Sequence, residues 1–217
     1  MDSEQIESVM TQCSFAKRHF GGVFASDEIP FIEVNYEDLP QAFVFNYDPS
    51  YMSGSHWVAC ILQEKEGNKY FDSYGEKPML EEMKDFLKDD YHYNKFQLQD
   101  EFSSTCGQWC VFFLWYNFTH QHFPWSFKFD PKKTLENDYM VNKWVDKTFD
   151  LHLKVIDKSF LTKQISKQMA ANLKSEDFPL KKGPERKRGR EERETKVQHG
   201  FSWFDAPSCP EFQLFWL

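Results

Sequence analysis

The chain is 217 residues long, 41% hydrophobic and 18% aromatic, enough for one globular domain with a sizeable core and too apolar for wholesale disorder. Its net charge of −8 is uneven: residues 1–180 carry 18 Lys+Arg against 28 Asp+Glu, whereas residues 181–217 carry 8 against 6. An acidic body argues against a phosphate-binding surface as the main business of the chain and leaves the tail as the place for a basic patch.

Met1-Asp2-Ser3-Glu4 lacks the basic and apolar regions of a secretory signal, and no run of about 18 apolar residues follows. The expectation is a soluble intracellular protein without membrane contact. From Asp2 to about Arg18, Ile6, Val9, Met10 and Cys13 recur at helical spacing, with Asp2 placed to cap and Gln5 three residues on. Gly21-Gly22 and Pro30 read as loop. Ala42-Phe43-Val44-Phe45 is a short apolar run closed by Asn46, Asp48, Pro49 and Gly54, the punctuation that follows a strand. His56 to Leu62 is apolar without alternation and too short for a helix, so it predicts a strand buried on both faces. Glu66-Gly67-Asn68 is a turn, and Lys69 to Ser73 returns as its hairpin partner.

Leu80, Met83, Phe86 and Leu87 predict a helix to about Asp90, and Tyr93 to Leu98 a further strand. Cys106-Gly107 opens a run from Trp109 to Phe118 that is apolar nearly all round, which suits a buried helix. Leu135, Tyr139, Val141, Trp144, Val145 and Phe149 support another helix, and residues 160–173 a weaker one. The fold class is therefore α+β: a mixed sheet of four to six strands flanked by helices. At Asp177 the composition changes, and Lys181 to Lys196 holds 8 basic and 4 acidic residues. This divides the chain into a domain over 1–176 and a basic tail over 177–217, expected to be disordered and ending in an aromatic-rich stretch. Lys181-Lys182 and Arg186-Lys187-Arg188-Gly189-Arg190 suit a nuclear-import signal or a nucleic-acid arm, and equally a solvated tail.

Five cysteines, odd in number and widely spaced, do not make a disulfide framework and leave a reactive thiol open. A thiol protease needs a thiolate, an imidazole, a group that orients the imidazole, and donors for the oxyanion. Cys106 lies at the inferred start of a helix, where unpaired N–H groups and the positive dipole end lower a thiol pKa. His56 stands at the mouth of a buried strand, with Asp72 one strand over across the hairpin. Gln99, seven residues before Cys106, offers an amide to the oxyanion, and Gln97 competes for that role. A zinc site of Cys106, Cys110, His120 and His122 is the metal alternative, but it leaves His56, Asp72 and Gln99 idle, and Cys110 reads more simply as a packed helix residue.

Gly54-Ser55-His56-Trp57, Tyr70-Phe71-Asp72-Ser73-Tyr74-Gly75, and Gln99 followed by Ser104-Thr105-Cys106-Gly107-Gln108-Trp109-Cys110 resemble the adenovirus-type cysteine proteases. Similar proteins are encoded by Polinton (Maverick) transposons, and the wider papain-like clan includes the ubiquitin-like-modifier proteases. The resemblance covers roughly residues 3–150, with the elements in the order His, Asp, Gln, Cys. It implies His56 as base, Asp72 as orienting residue, Cys106 as nucleophile and Gln99 as oxyanion donor. It departs from the mammalian adenoviral enzymes in having Asp rather than Glu at position 72, and nothing after Lys181 has a counterpart. The function implied is endopeptidase processing of viral or transposon structural precursors. An isopeptidase acting on a ubiquitin-like modifier and an inactive binding module are the alternatives, while an acetyltransferase lacks a visible cofactor-binding insert. No cofactor or metal is inferred, although adenoviral relatives are stimulated by a peptide and by DNA.

Overall fold

The computed structural model describes residues 1–12, 14–65, 67–120 and 129–151, which fall in one compact unit, Met1–Asp157. Helix α1 (Ser3–Thr11) starts as its sequence dictates. Asp2 accepts the Gln5 N–H at 2.8 Å while Gln5 Oε1 accepts the Asp2 N–H at 3.1 Å, a reciprocal capping box that satisfies two otherwise orphaned donors. Ile6, Val9 and Met10 form its buried stripe. The single helix expected to Arg18 is two, because α1 ends at Thr11 and α2 runs Ser14–His19; Cys13 lies outside the described residues.

Gly21-Gly22, expected as loop, lies within strand β1 (Phe20–Phe24). The reason is close packing: a Cβ on Gly21 would stand 2.2 Å from Phe43 Cε1, so only glycine lets this strand lie under the Phe43 ring. The ladder shifts register between Phe20 and Gly22, as glycine in a strand allows. A 3-10 turn over Ser26–Phe31 accommodates Pro30. Strands β2 (Gln41–Asn46), β3 (Trp57–Leu62) and β4 (Asn68–Phe71) follow the expected runs, and β5 (Tyr91–Tyr93) completes a sheet in the order β1-β2-β3-β4-β5. The two outer pairings are parallel and the two inner ones antiparallel, so the sheet is mixed and the fold α+β. Each parallel pairing requires a long crossover, and between β4 and β5 that crossover carries helix α3 (Glu81–Leu87).

The absence of alternation in β2 and β3 has a direct cause, since both sheet faces are covered. On one face Phe43, Phe45, Val58, Cys60, Leu62 and Tyr70 pack with Met83 and Leu87 of α3. On the other, Phe71 stacks on Phe113 of helix α4 (Cys106–His120), with ring centroids 4.8 Å apart. Burying side chains of this size stabilises by about 1.5–3 kcal/mol each, which makes this two-sided core the main support of the sheet. Helix α5 (Thr134–Phe149) packs against α4, with Trp144 edge-on to Phe112 and Phe149 edge-on to Trp115, each at 4.9 Å, and it buries Leu135, Val141 and Val145.

The strand expected over Tyr93–Leu98 is shorter and earlier. From Asn94 onward the backbone leaves the sheet because the Asn94 side chain takes over the pairing: its Oδ1 accepts the Asp72 N–H at 3.0 Å and its Nδ2 donates to the Asp72 carbonyl. Among the described residues no helix is long and apolar enough to cross a membrane. The helix expected over 160–173, the domain boundary at 176/177 and the basic tail lie outside the described residues.

Candidate active site

His56 immediately precedes β3, and Asp72 immediately follows β4. The hairpin register pairs Ala59 with Phe71 and Cys60 with Tyr70; carried past its last pair, it sets position 58 opposite 72 and 56 opposite 74. The histidine and the aspartate are thus diagonal neighbours at one end of the hairpin, within side-chain reach. His56 Nε2 lies 2.8 Å from Asp72 Oδ1, with the histidine side chain 12% exposed and the aspartate 2%. The same carboxylate oxygen accepts the Tyr74 N–H at 2.8 Å. With Nε2 committed to Asp72, Nδ1 is the nitrogen left for the Cys106 thiol, which also hydrogen-bonds the ring.

The imidazole is clamped on both faces. Tyr47 stacks at 5.6 Å and 12°, Tyr74 at 4.7 Å and 26°. Tyr47 is itself tied to Tyr70 through a 2.8 Å contact between hydroxyls. The loop that delivers His56 is anchored by Asn46, whose Oδ1 accepts the N–H groups of Asp48 and Ser55.

Cys106 is the first residue of α4 and retains 8% exposure. Burial, the largest influence on its thiol, would raise the pKa, but the His56 hydrogen bond, the Trp57 backbone N–H and the His56 charge together hold it below the usual thiol value. Burial likewise works to lower the His56 pKa, and the hydrogen bonds to Asp72 and Cys106 outweigh it, so the imidazole is pushed up to about 9. Both displacements favour a thiolate beside an imidazolium, the state from which a thiol attacks a carbonyl. Cys60 and Cys110, buried in the core, are pushed the opposite way, which separates Cys106 from the other described cysteines.

Gln99 is 1% exposed and reaches the site because the segment before it docks on the Asp72 turn. Ser73 O accepts the N–H groups of Leu98 and Gln99, and Gly75, at φ +76°, lies so close to the Phe96 backbone that a Cβ would stand 2.6 Å from its carbonyl carbon. The amide orientation follows from its partners. Oε1 accepts from Ser73 Oγ at 2.6 Å, while Nε2 donates to Ser103 O at 3.0 Å and to the Tyr74 hydroxyl at 3.3 Å. Gln97 instead donates to the Gln99 carbonyl.

Four residues beyond the expected set build this site. Tyr47 and Tyr74 enclose His56, Asn94 brackets Asp72, and Asp138 of α5 holds the loop that leads into Cys106. Asp138 is fully buried; its carboxylate accepts the Asp100 N–H at 2.9 Å, Thr105 Oγ1 at 2.7 Å and Trp109 Nε1 at 2.7 Å. A signal for Asp138 exists in the sequence, an acidic residue on the apolar stripe of α5 at 135, 138, 141, 145. Trp57 flanks the site, its Nε1 donating to Met1 O at 3.1 Å.

Of the alternative metal set, Cys106 and Cys110 lie one turn apart on α4, with Cys110 in the core, while His122 is outside the described residues. No group of three His, Cys, Asp or Glu able to hold a metal ion occurs among the described residues. No protein-family model matches the chain, and a search of curated proteins finds no match.

Proposed function

We propose that this chain is a cysteine-type endopeptidase of the adenovirus type, within the papain-like clan, using Cys106, His56 and Asp72. The observation that carries the reading is the seating of His56 between the Asp72 carboxylate at 2.8 Å and the Cys106 thiol, at the N-terminus of a buried helix. Cys106 Sγ attacks a peptide carbonyl, the Cys106 N–H and the Gln99 side-chain amide hold the oxyanion, and His56 protonates the leaving amine before water releases the acyl-enzyme. The sequence resemblance supplies the substrate class, structural precursor proteins of a virus or transposon.

The test is a thiol-reactive acyl probe at neutral pH applied to wild type, Cys106→Ala and His56→Ala, with the labelled position mapped by mass spectrometry. Rapid labelling of Cys106 that is lost in the first variant and falls by at least ~100-fold in the second supports the reading. Labelling spread over other cysteines and indifferent to His56 would remove it.

A further inference from the structure

Trp57 opens β3 directly after His56, and the ladder leaves its backbone N–H unclaimed. The Tyr47 N–H donates to His56 O at 3.0 Å, which makes 47 and 56 the hydrogen-bonded pair and 46 and 57 the non-bonded one. The Trp57 N–H therefore points away from β2, toward the β4 side. Carried past its last pair, the β3–β4 register would set residue 73 there to accept it, but the Ser73 carbonyl already takes the N–H groups of Leu98 and Gln99. The released N–H goes to the Cys106 thiol instead. The indole of the same residue is tied elsewhere, with Nε1 donating to Met1 O at 3.1 Å. Met1 precedes the Asp2–Gln5 capping box and lies on the first turn of α4, so close that a Cβ on Gly107 would stand 3.0 Å from Met1 Cβ and 3.4 Å from Met1 O. Trp57 thus joins the starts of α1, β3 and α4 beside the sulfur.

We infer that the Trp57 N–H is a second, non-titrating donor to the Cys106 thiolate, held in place by the bond from the Trp57 indole to the Met1 carbonyl. The inference rests on the peptidase reading above and adds to His56 a group that acts on the same sulfur, with the indole as its positioning group. An imidazolium loses its hold on a thiolate when it deprotonates; a backbone N–H does not. No proton crosses this bond. When Cys106 Sγ attacks, a sulfur lone pair becomes the S–C bond and the carbonyl π pair moves onto oxygen, while the hydrogen stays on the Trp57 nitrogen and loses its charged partner. The donor therefore raises the thiolate population and slightly lowers its nucleophilicity, so it matters most on the acid side. The charged groups bearing on Cys106 are His56 and, behind it, the Met1 amine, with Tyr74 and Cys110 nearby as neutral groups. Each of those four titrates, and the Trp57 N–H does not.

Trp57→Phe keeps an aromatic ring and the backbone N–H but cuts the tie to Met1. Iodoacetamide alkylation of Cys106, mapped by mass spectrometry from about pH 5 to 10, reads the thiolate population on its acid limb and the nucleophilicity at its plateau. The expected result is an acid-limb rate ~3- to 10-fold lower with a plateau changed less than about twofold. Because Trp57 also adjoins His56, the comparison is repeated in His56→Ala, where the same acid-limb loss should persist. A loss that vanishes without His56 overturns the inference, by showing that Trp57 acts on the imidazole. An unchanged acid limb, or equal losses on limb and plateau, overturns it too. A second pair of variants decides alone if Trp57→Phe fails to fold. Asp2→Ala opens the capping box that fixes Met1, whereas Asp2→Asn keeps a capping oxygen and removes the same charge. Asp2→Ala should show an acid-limb rate ~2-fold or more below that of Asp2→Asn, and identical rates overturn the inference. A wild type alkylated rapidly through His56, with Trp57→Phe indifferent, ends this inference alone. A wild type alkylated no faster than free cysteine at any pH ends the peptidase reading beneath it.

Discussion

Asp72 Oδ1 stands 2.8 Å from His56 Nε2 and takes the Tyr74 N–H at the same distance, so one buried oxygen orients both the imidazole and the aromatic residue stacked on it. With the His56 pKa pushed up to about 9, the imidazolium persists through neutral pH. The pH profile of kcat/KM should rise with thiolate formation on its acid limb and fall on an alkaline limb near 9. Asp72→Asn should move the alkaline limb toward ~6.5 and lower kcat by roughly 10-fold or more. Stability follows the same sign. A folded-state pKa above the unfolded one stabilises fully below ~6.5 and is lost as pH rises through about 9, so the Tm gap between wild type and His56→Ala should shrink over that window.

Gln99 and Gln97 are two residues apart but make different contacts: the Gln99 side chain holds Ser73, Tyr74 and Ser103, whereas the Gln97 side chain donates to the Gln99 carbonyl. Gln99→Ala is expected to reduce kcat/KM by ~10²-fold, and Gln97→Ala by less than about threefold. Parallel kinetics with one peptide substrate check this; equal losses would show that the loop as a whole, and not the Gln99 amide, matters.

Asp138 unites the Asp100 N–H, the Thr105 hydroxyl and the Trp109 indole N–H beneath Cys106. Asp138→Ala strands three buried donors, at a cost of at least ~3 kcal/mol. For a chain of this length the Tm should drop by roughly 6–12 °C in a calorimetric scan. The iodoacetamide rate at Cys106 should fall with it, because the loop before α4 loses its anchor.

Gly21→Ala should destabilise by about 1–3 kcal/mol, since the Phe43 ring that occupies the Cβ position is itself packed edge-on against Phe86 at 5.1 Å. Urea titrations of Gly21→Ala, Phe43→Leu and the double variant would reveal the coupling. The double variant should recover part of the loss, and strict additivity would show that the clash is relieved elsewhere.

Much of this was legible in one dimension. A local cap, a run of apolar residues without alternation and a turn glycine each act within a few residues, so the start of α1, β2, β3, the β3–β4 hairpin, α4 and α5 stand close to where the sequence puts them. The placement of His56 beside Asp72 follows for the same reason, because hairpin register is a short-range property. Long-range packing overruled local preference elsewhere. Gly21-Gly22 carries a loop signature, yet it is a strand because the Phe43 ring fills the space that a Gly21 side chain would take. The Tyr93–Leu98 run has strand composition, yet it turns away at Asn94 because that side chain satisfies the Asp72 backbone.

Residue types and their chain order were enough to single out a thiol, an imidazole, a carboxylate and an amide. What Tyr47, Tyr74, Asn94 and Asp138 do was decided only in three dimensions. Apart from the local Tyr74 N–H bond to Asp72, the contacts that give them these roles join residues between 9 and 38 positions apart, and such contacts exist only after the sheet, α4 and α5 have packed. The sequence determined which groups could react; the tertiary structure decided which of them are held still, which are desolvated and which retain a free proton, because those are properties of contacts and not of residues.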